Sequence, residues 1–496
     1  MGRHQKTIAS DRVADRREIG YYSTPKFIAS FLAQKLLEIR PQGKYVIDPC
    51  VGKGELLSDF LNSDKHLTCV DIVNFGFSEA HSFFHQNFID LYKEVQSPSL
   101  FGNLSIDFSI FDYWIANPPY NCHEVDYIKK NKEDLKQLFY DVGVHNMYSM
   151  FISAIIDLAS EGAVIGLIIL DSFLTSKAHT KLRKKILEKT TIHYLLLCPT
   201  DLFWSQKADV RTCILILQKG KQYQNEVKVC NRPRSTKDFQ KILSEEVFHF
   251  KNSRDIFLSH SDKDNFEFLL DVPEEIKNLF VDLPRLSERF NCITGISTGN
   301  DKKYLSDTRK PGFSVPFYKN PGTRKFFTLP NSYLCDNFLD VGKQVKNFIV
   351  RNTNFLYQPG IICSSMGVEF SACYLPTNAT CGVNANIICK DDDVWWLLAY
   401  LNSKLVSYLV RGILIRTNMI TSGYVARIPI PEFDEATKIK LSDVSKNVYH
   451  KVKLNNRCSI HEEIDLITRI SLDYLNISKS THDLIYSFCA DIIRMT

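Results

Sequence analysis

Short apolar runs alternate with amphipathic stretches from Tyr45 to about Leu217, the pattern that strands and helices make in a largely parallel sheet. The pattern predicts strands over residues 45–48, 67–71, 112–116, 164–170, 192–197 and 212–217, with a further one over 82–88. Apolar positions at helical spacing predict helices over 148–160 and 177–189, the second carrying Lys181, Arg183, Lys184 and Lys185 on its polar face. The loop between the last two strands is too short for a helical crossover, so they are expected to be antiparallel neighbours.

After Lys219 the chain turns polar and rich in charge as far as about Pro284, which reads as a connecting region. Beyond it, residues 290–496 mix strand candidates punctuated by Gly and Pro, such as 360–364, with helix candidates over 394–409 and 460–472. The expectation is an α/β domain over 1–255 with a basic N-terminal arm at 1–20, a connector over 256–285, and a second, mixed α+β domain over 286–496.

Composition adjusts this picture only slightly. With 496 residues, 44% hydrophobic and 24% charged, the sequence is of ordinary globular type and long enough for at least two cores. It has no apolar run of spanning length and its start lacks the apolar core of a signal peptide, so a cytoplasmic location is expected. Fourteen cysteines occur without any Cys-x-x-Cys pair, and the gaps between Cys363, Cys373, Cys381 and Cys389 suit successive strands better than metal knuckles. No metal is expected. The net charge of +5 is a weak hint of a nucleic-acid partner.

The sharpest chemical signal is Asn117-Pro118-Pro119-Tyr120, where an apolar strand runs into a rigid turn flanked by an amide and an aromatic ring. Taken alone, the tetrapeptide also fits a plain structural turn. An aromatic amine is a poor nucleophile because its lone pair is delocalised into the ring. If the Asn117 side-chain oxygen and the Pro118 carbonyl each accept one amino hydrogen, the nitrogen is driven toward tetrahedral geometry and its lone pair becomes available. Tyr120 could stack on the ring that bears the amine. Upstream, Asp48 to Leu57 reads as a strand, a turn with Gly52 and Gly54, and then a helix; this is neither a phosphate-binding loop nor the Gly-x-Gly-x-x-Gly of dinucleotide sites. Asp71 ends the next strand, where a carboxylate can accept hydrogen bonds from ribose hydroxyls, which favours a nucleoside ligand.

These motifs, in this order, resemble those of the gamma class of amino-methylating DNA methyltransferases, the group that includes the Taq adenine methylase. Gly20-Tyr21-Tyr22-Ser23-Thr24-Pro25 resembles the N-terminal cofactor motif, with Thr24 at the methionine carboxylate. Asp48 to Gly54 resembles the main cofactor loop, Asp71 the ribose acid, and Asn87-Phe88 the motif at the cofactor's adenine, although Asn87 stands where aspartate is commoner. Further likeness runs through Asn146-Met147-Tyr148, Phe151, Asp171-Ser172-Phe173 and Leu182-Arg183, all of structural character. Asp201-Leu202-Phe203-Trp204 precedes the strand where the class places an aromatic on the far face of the target base; Phe203 takes that role, with Trp204 as the other candidate.

The resemblance implies a Rossmann-like, seven-stranded methyltransferase sheet and S-adenosylmethionine as cofactor, held by Tyr22, Thr24, Pro25, Asp48, Cys50, Gly52, Gly54, Asp71, Ile72, Asn87, Phe88, Asn117 and Pro119. It implies catalysis by Asn117, Pro118, Pro119, Tyr120 and Phe203 on the N6 amino group of an adenine flipped out of duplex DNA. Residues 286–496 would recognise the target, through motifs such as 293–300, 401–404 and 428–431, with Lys404, Arg411, Arg416 and Arg427 as phosphate contacts. The expected protein is a monomer of the restriction-modification type, any endonuclease being a separate protein. The alternatives are an RNA adenine or protein glutamine methyltransferase of the same fold, and a DNA-binding homologue without catalysis.

Overall fold

The computed structural model describes residues 21–495 apart from 62, 98–105, 121–124, 207, 209, 223–224, 259–264, 271, 366–368 and 416–418. The N-terminal arm with Gly20, and Arg416, therefore lie outside the described residues. The chain divides into two compact units, Met1–Asp271 and Val272–Thr496.

The first unit is built on the strands β1 (Tyr45–Asp48), β2 (His66–Asp71), β3 (Ser82–His85), β4 (Tyr113–Ala116), β5 (Val164–Leu170), β6 (Thr190–Leu197), β7 (Thr212–Lys219), β8 (Glu226–Cys230) and β9 (His249–Asn252). They form one sheet in the order β3-β2-β1-β4-β5-β7-β6-β8-β9. The first five strands of that order are parallel, and β7 runs antiparallel to both β5 and β6. The expected seven strands are present with the expected antiparallel pair, and two more extend the β6 edge. The polar segment after Lys219, read as a connector, is in part folded into this sheet as β8, helix Thr236–Glu245 and β9. Residues 256–270 also belong to the first unit, where Ile256, Phe268 and Leu270 join its core, whereas Leu286 lies in the second.

Alternation along the strands explains how both sheet faces are covered. Val46, Tyr113 and Ile115 point into one core with helix α1 (Lys26–Ile39), while Ile47, Trp114 and Ala116 point into the other with α2 (Phe88–Gln96), α3 (Met147–Leu158) and α4 (Thr180–Lys189). β5 is apolar throughout because both of its faces are buried. Gly166 in β5 lets α1 approach: a Cβ there would lie 3.2 Å from the Leu36 side chain. The strand order reverses at β1, which has β2 on one side and β4 on the other, and ligands of such sheets sit beyond the carboxyl ends of the strands at this switch point.

The second unit holds two four-stranded sheets and a helical layer. The strands are β10 (Asn291–Ile293), β11 (Leu305–Ser306), β12 (Val315–Tyr318), β13 (Ser332–Leu334), β14 (Gly360–Cys363), β15 (Ala372–Leu375), β16 (Thr380–Cys381) and β17 (Asn386–Ile388), in the orders β10-β17-β14-β15 and β11-β13-β12-β16. The helices include α5 (Asp391–Leu401), α6 (Glu435–Leu454), α7 (His461–Tyr474) and α8 (Lys479–Met495). The helix expected over 394–409 breaks at Asn402 and Ser403. The Asn402 carboxamide bonds both backbone groups of Ala372 in β15, at 3.1 and 2.9 Å, and the Ser403 hydroxyl caps a new turn at Val406 N. None of the described helices is long and apolar enough to cross a membrane.

Candidate active site

The carboxyl ends of β1, β2 and β4 carry Asp48, Asp71 and Asn117, so the switch point gathers residues that are far apart in sequence. The loop after β1 curls back because Gly52 and Gly54 adopt left-handed conformations, φ +55° and +82°, that residues with a Cβ rarely take. Asp71 ties this loop to β2: one carboxylate oxygen accepts from Gly52 N at 2.8 Å and the other from Val73 N at 2.9 Å. Burial raises the Asp71 carboxyl above the usual range against these two donors. Each oxygen keeps a lone pair for further donors.

Asp48 is buried, and one of its oxygens accepts from Cys50 N at 3.0 Å while the other has no partner. Burial pushes its pKa to about 8, helped by the nearby negative charges of Asp71 and Glu55. An orphaned buried carboxylate oxygen beneath a glycine turn is a site for a ligand's donors or positive charge.

Beside this loop a cavity is lined by Cys50, Asp71, Ile72, Asn87, Phe88, Asn117 and Pro119, together with Tyr21, Phe75, Gln86, Met147 and Phe151. Asn87 is the N-cap of α2, its Oδ1 accepting from Ile89 N at 2.9 Å, which turns the amide NH2 away as a donor. Phe88 packs on Phe151 with ring centres 5.0 Å apart, and Ile72 is 49% exposed at the rim. An acid for hydroxyls, an amide for a base edge and flat apolar walls fit an adenosine-bearing ligand. The Tyr21 and Phe75 rings, which also line the cavity, stack with centres 5.2 Å apart.

Two more of the expected cofactor positions, Thr24 and Pro25, stand at the start of α1. Pro25 caps α1, and Thr24 is buried with its hydroxyl accepting from Asn117 Nδ2 at 3.0 Å. The same nitrogen donates to the Tyr22 carbonyl at 2.8 Å. A carbonyl only accepts, so the NH2 side of Asn117 must face Tyr22, and the amide orientation is fixed with Oδ1 on the other side. Tyr120 is buried, donates from its hydroxyl to Ile168 O at 3.2 Å and stacks on Tyr22 with centres 5.4 Å apart and planes at 22°.

Phe203 does not stand open as a wall of a base pocket. It is fully buried and meets the edge of Tyr22 at 6.0 Å, so the Tyr22 ring contacts both Tyr120 and Phe203. Trp204, its neighbour, is 61% exposed. Behind the site, Tyr148 bonds Ser172 Oγ at 2.9 Å and His179 Nε2 at 3.1 Å, and burial lowers His179 to about 3, which keeps it neutral. Asp171 pairs with Arg232, a residue the sequence reading passed over.

In the second unit the motifs singled out from sequence make contacts within the unit. Asn300 caps a short helix at Lys303 N, Ile430 N bonds Pro284 O, and Lys404 pairs with Asp465 at 2.7 Å. Arg411 and Arg427 are buried rather than offered to phosphates.

A family model described as N-6 DNA methylase matches residues 10–284, more than half of the chain. The Type II methyltransferase M.BsuBI of Bacillus subtilis is 30% identical over 203 residues, which is 36% of this chain and 39% of that relative's length. Among solved structures, the Type IIL restriction-modification enzyme MmeI in complex with DNA aligns over 96% of this chain and 77% of its own, with TM-score 0.60 at 9% identity. A nuclease-deletion mutant of the Type ISP restriction-modification enzyme LlaGI aligns over 87% of this chain and 47% of its own, with TM-score 0.56 at 13% identity. At such identities the two structures show a shared fold. The strand order around the switch point, the loop from Asp48 to Gly54 and the Asn117 turn all fall within the matched stretch, and the chain belongs to the N-6 DNA methylase family.

Proposed function

We propose that the chain transfers a methyl group from S-adenosylmethionine to the N6 amino group of adenine in duplex DNA. The observation that carries this reading is the fixed Asn117 amide, whose NH2 is held by Tyr22 O and Thr24 Oγ1 and whose oxygen therefore stands ready to accept from an amine. Bound S-adenosylmethionine supplies an electrophilic methyl carried on sulfur. Asp71 would hold its ribose hydroxyls, the Asn87 NH2 would face its base, Phe88 and Ile72 would flank that base, and Asp48 would accept its donors.

The residues act on the target by position and polarity. Asn117 Oδ1 and Pro118 O each accept one hydrogen of the adenine amino group, which localises the lone pair on nitrogen. The nitrogen takes the methyl as the carbon to sulfur bond breaks, and the surplus proton passes to water. Neither step needs a general base, in keeping with the absence of a titratable side chain in the Asn117–Tyr120 turn other than the Tyr120 phenol, which burial holds well above its usual pKa.

An adenine in a duplex reaches this turn only when rotated out of the stack. Tyr120 forms one wall for it and, once the Tyr22 ring is displaced, Phe203 the other. The second unit serves as the target-recognition domain. Incubation with tritiated methyl donor and equal masses of unmethylated DNA, structured RNA and whole-cell protein tests the reading: label is expected in DNA, and label in RNA or protein alone would overturn it.

A further inference from the structure

The segment 21–24 is tied on three sides. Gln206, on the short turn Trp204–Gln206 between β6 and β7, accepts from Ser23 N through Oε1 at 2.9 Å and donates through Nε2 to Ser23 O at 2.7 Å. A carboxamide that bonds both backbone groups of one residue copies a neighbouring strand and fixes the plane of that residue as well as its place. Ser23 lies between the two residues that hold the Asn117 amide, Tyr22 through its carbonyl at 2.8 Å and Thr24 through its hydroxyl at 3.0 Å. The Ser23 hydroxyl donates in turn to Glu55 Oε1 at 2.7 Å, on the loop that follows Gly54.

We propose that Gln206 is a positioning residue for methyl transfer, gripping the Ser23 backbone so that Tyr22 O and Thr24 Oγ1 keep the Asn117 oxygen aimed at the target amine. The inference rests on the role of Asn117 given above. Ser23 is covalently joined to both groups that orient Asn117, so a shift of Ser23 by part of an ångström moves both acceptors. The turn that carries Gln206 begins at Trp204 and follows directly on Phe203, whose ring meets the Tyr22 ring. Any movement of that turn is thus transmitted to Asn117 through Ser23. Glu55 provides the same link from the cofactor loop, so Ser23 joins the three parts of the site.

The test is single-turnover transfer of tritiated methyl from S-adenosylmethionine to unmethylated genomic DNA by the full chain and by Gln206→Ala and Gln206→Glu. Gln206→Ala is expected to slow transfer about 10- to 100-fold, the range for a small misplacement of a catalytic group, with dissociation constants for the methyl donor and for DNA within about twofold of wild type. Gln206→Glu keeps the acceptor for Ser23 N but sets a carboxylate against Ser23 O. Its rate relative to wild type is expected to rise as pH falls from about 7 to about 5, because a protonated carboxyl donates again. A Gln206→Ala rate within twofold of wild type would overturn the proposal. So would a slower rate accompanied by an equal loss of donor binding and a lower unfolding midpoint, the mark of a plain structural anchor. No transfer to DNA by wild type would overturn the underlying role of Asn117, a result separate from wild-type transfer that Gln206→Ala leaves unchanged.

Discussion

Asn117 Nδ2 lies 2.8 Å from the carbonyl oxygen of Tyr22, 95 residues earlier in the chain, and this bond decides which end of the amide meets the substrate. Replacement by aspartate puts an oxygen where the NH2 stood, against a carbonyl that has nothing to donate. We expect Asn117→Asp to lose roughly 100-fold or more in transfer rate, the scale for removing one oriented polar contact to a transition state. The loss should deepen as pH rises above the carboxyl pKa, because only the protonated acid can donate to Tyr22 O. Rates measured from pH 5 to 8 check this, and a rate equal to wild type at pH 8 would count against the orientation argument.

The Tyr22 ring stacks on Tyr120 and touches Phe203, so an entering base must replace it. Breaking that ring pair costs about 0.5 to 1.5 kcal/mol. Tyr22→Ala leaves the backbone carbonyl on Asn117 and removes only the ring. It is expected to tighten binding of DNA carrying a mispaired target adenine by about two- to tenfold, read by titration. Weaker binding would show that the Tyr22 ring supports the slot instead of filling it.

Phe203 and Trp204 are adjacent yet opposite in environment, one fully buried and the other 61% exposed. Phe203→Ala should therefore destabilise the fold by about 3 to 5 kcal/mol, the usual cost of emptying a buried phenylalanine site. Trp204→Ala should change stability by less than about 0.5 kcal/mol, since surface substitutions seldom do more. Denaturant unfolding of the two variants separates these cases, and equal stabilities would contradict the packing described.

Burial raises Asp48 to about 8, so in the free protein its carboxyl is largely protonated at neutral pH. A positively charged ligand favours the carboxylate, so binding should release a proton. Affinity for S-adenosylmethionine is expected to rise with pH from about 6 and level off above about 8, and Asp48→Asn should flatten that slope. Fold stability has the opposite sign: the native state binds the proton more tightly than the unfolded chain, so the Asp48 contribution falls as pH rises from about 4 to about 8. Calorimetry at three pH values tests both, and an affinity independent of pH in wild type would remove Asp48 from the site.

The centre of the sheet was legible because strands such as β4 and β5 are apolar on both faces, and the site because glycines, acids and prolines sit at strand ends, where local spacing carries meaning. β8 and β9 were not legible. β9 is the edge strand, with β8 between it and β6, and β9 exposes most of its residues, so its polar sequence reads as a loop. The break at Asn402 escaped periodicity because its cause is a pair of hydrogen bonds to Ala372, 30 residues away. Gln206 was invisible for the same reason at a separation of 183 residues. Phe203 shows the converse limit: an aromatic before a strand reads alike whether it lines a pocket or fills a core.

The most direct test of the account is mass spectrometry of the nucleosides from DNA treated with methyl donor and either the wild-type chain or Asn117→Ala. The account predicts N6-methyldeoxyadenosine with the wild type, and with Asn117→Ala a loss of at least about 100-fold while the donor still binds. Methylated cytosine without methylated adenine, or equal yields from the two proteins, would contradict it.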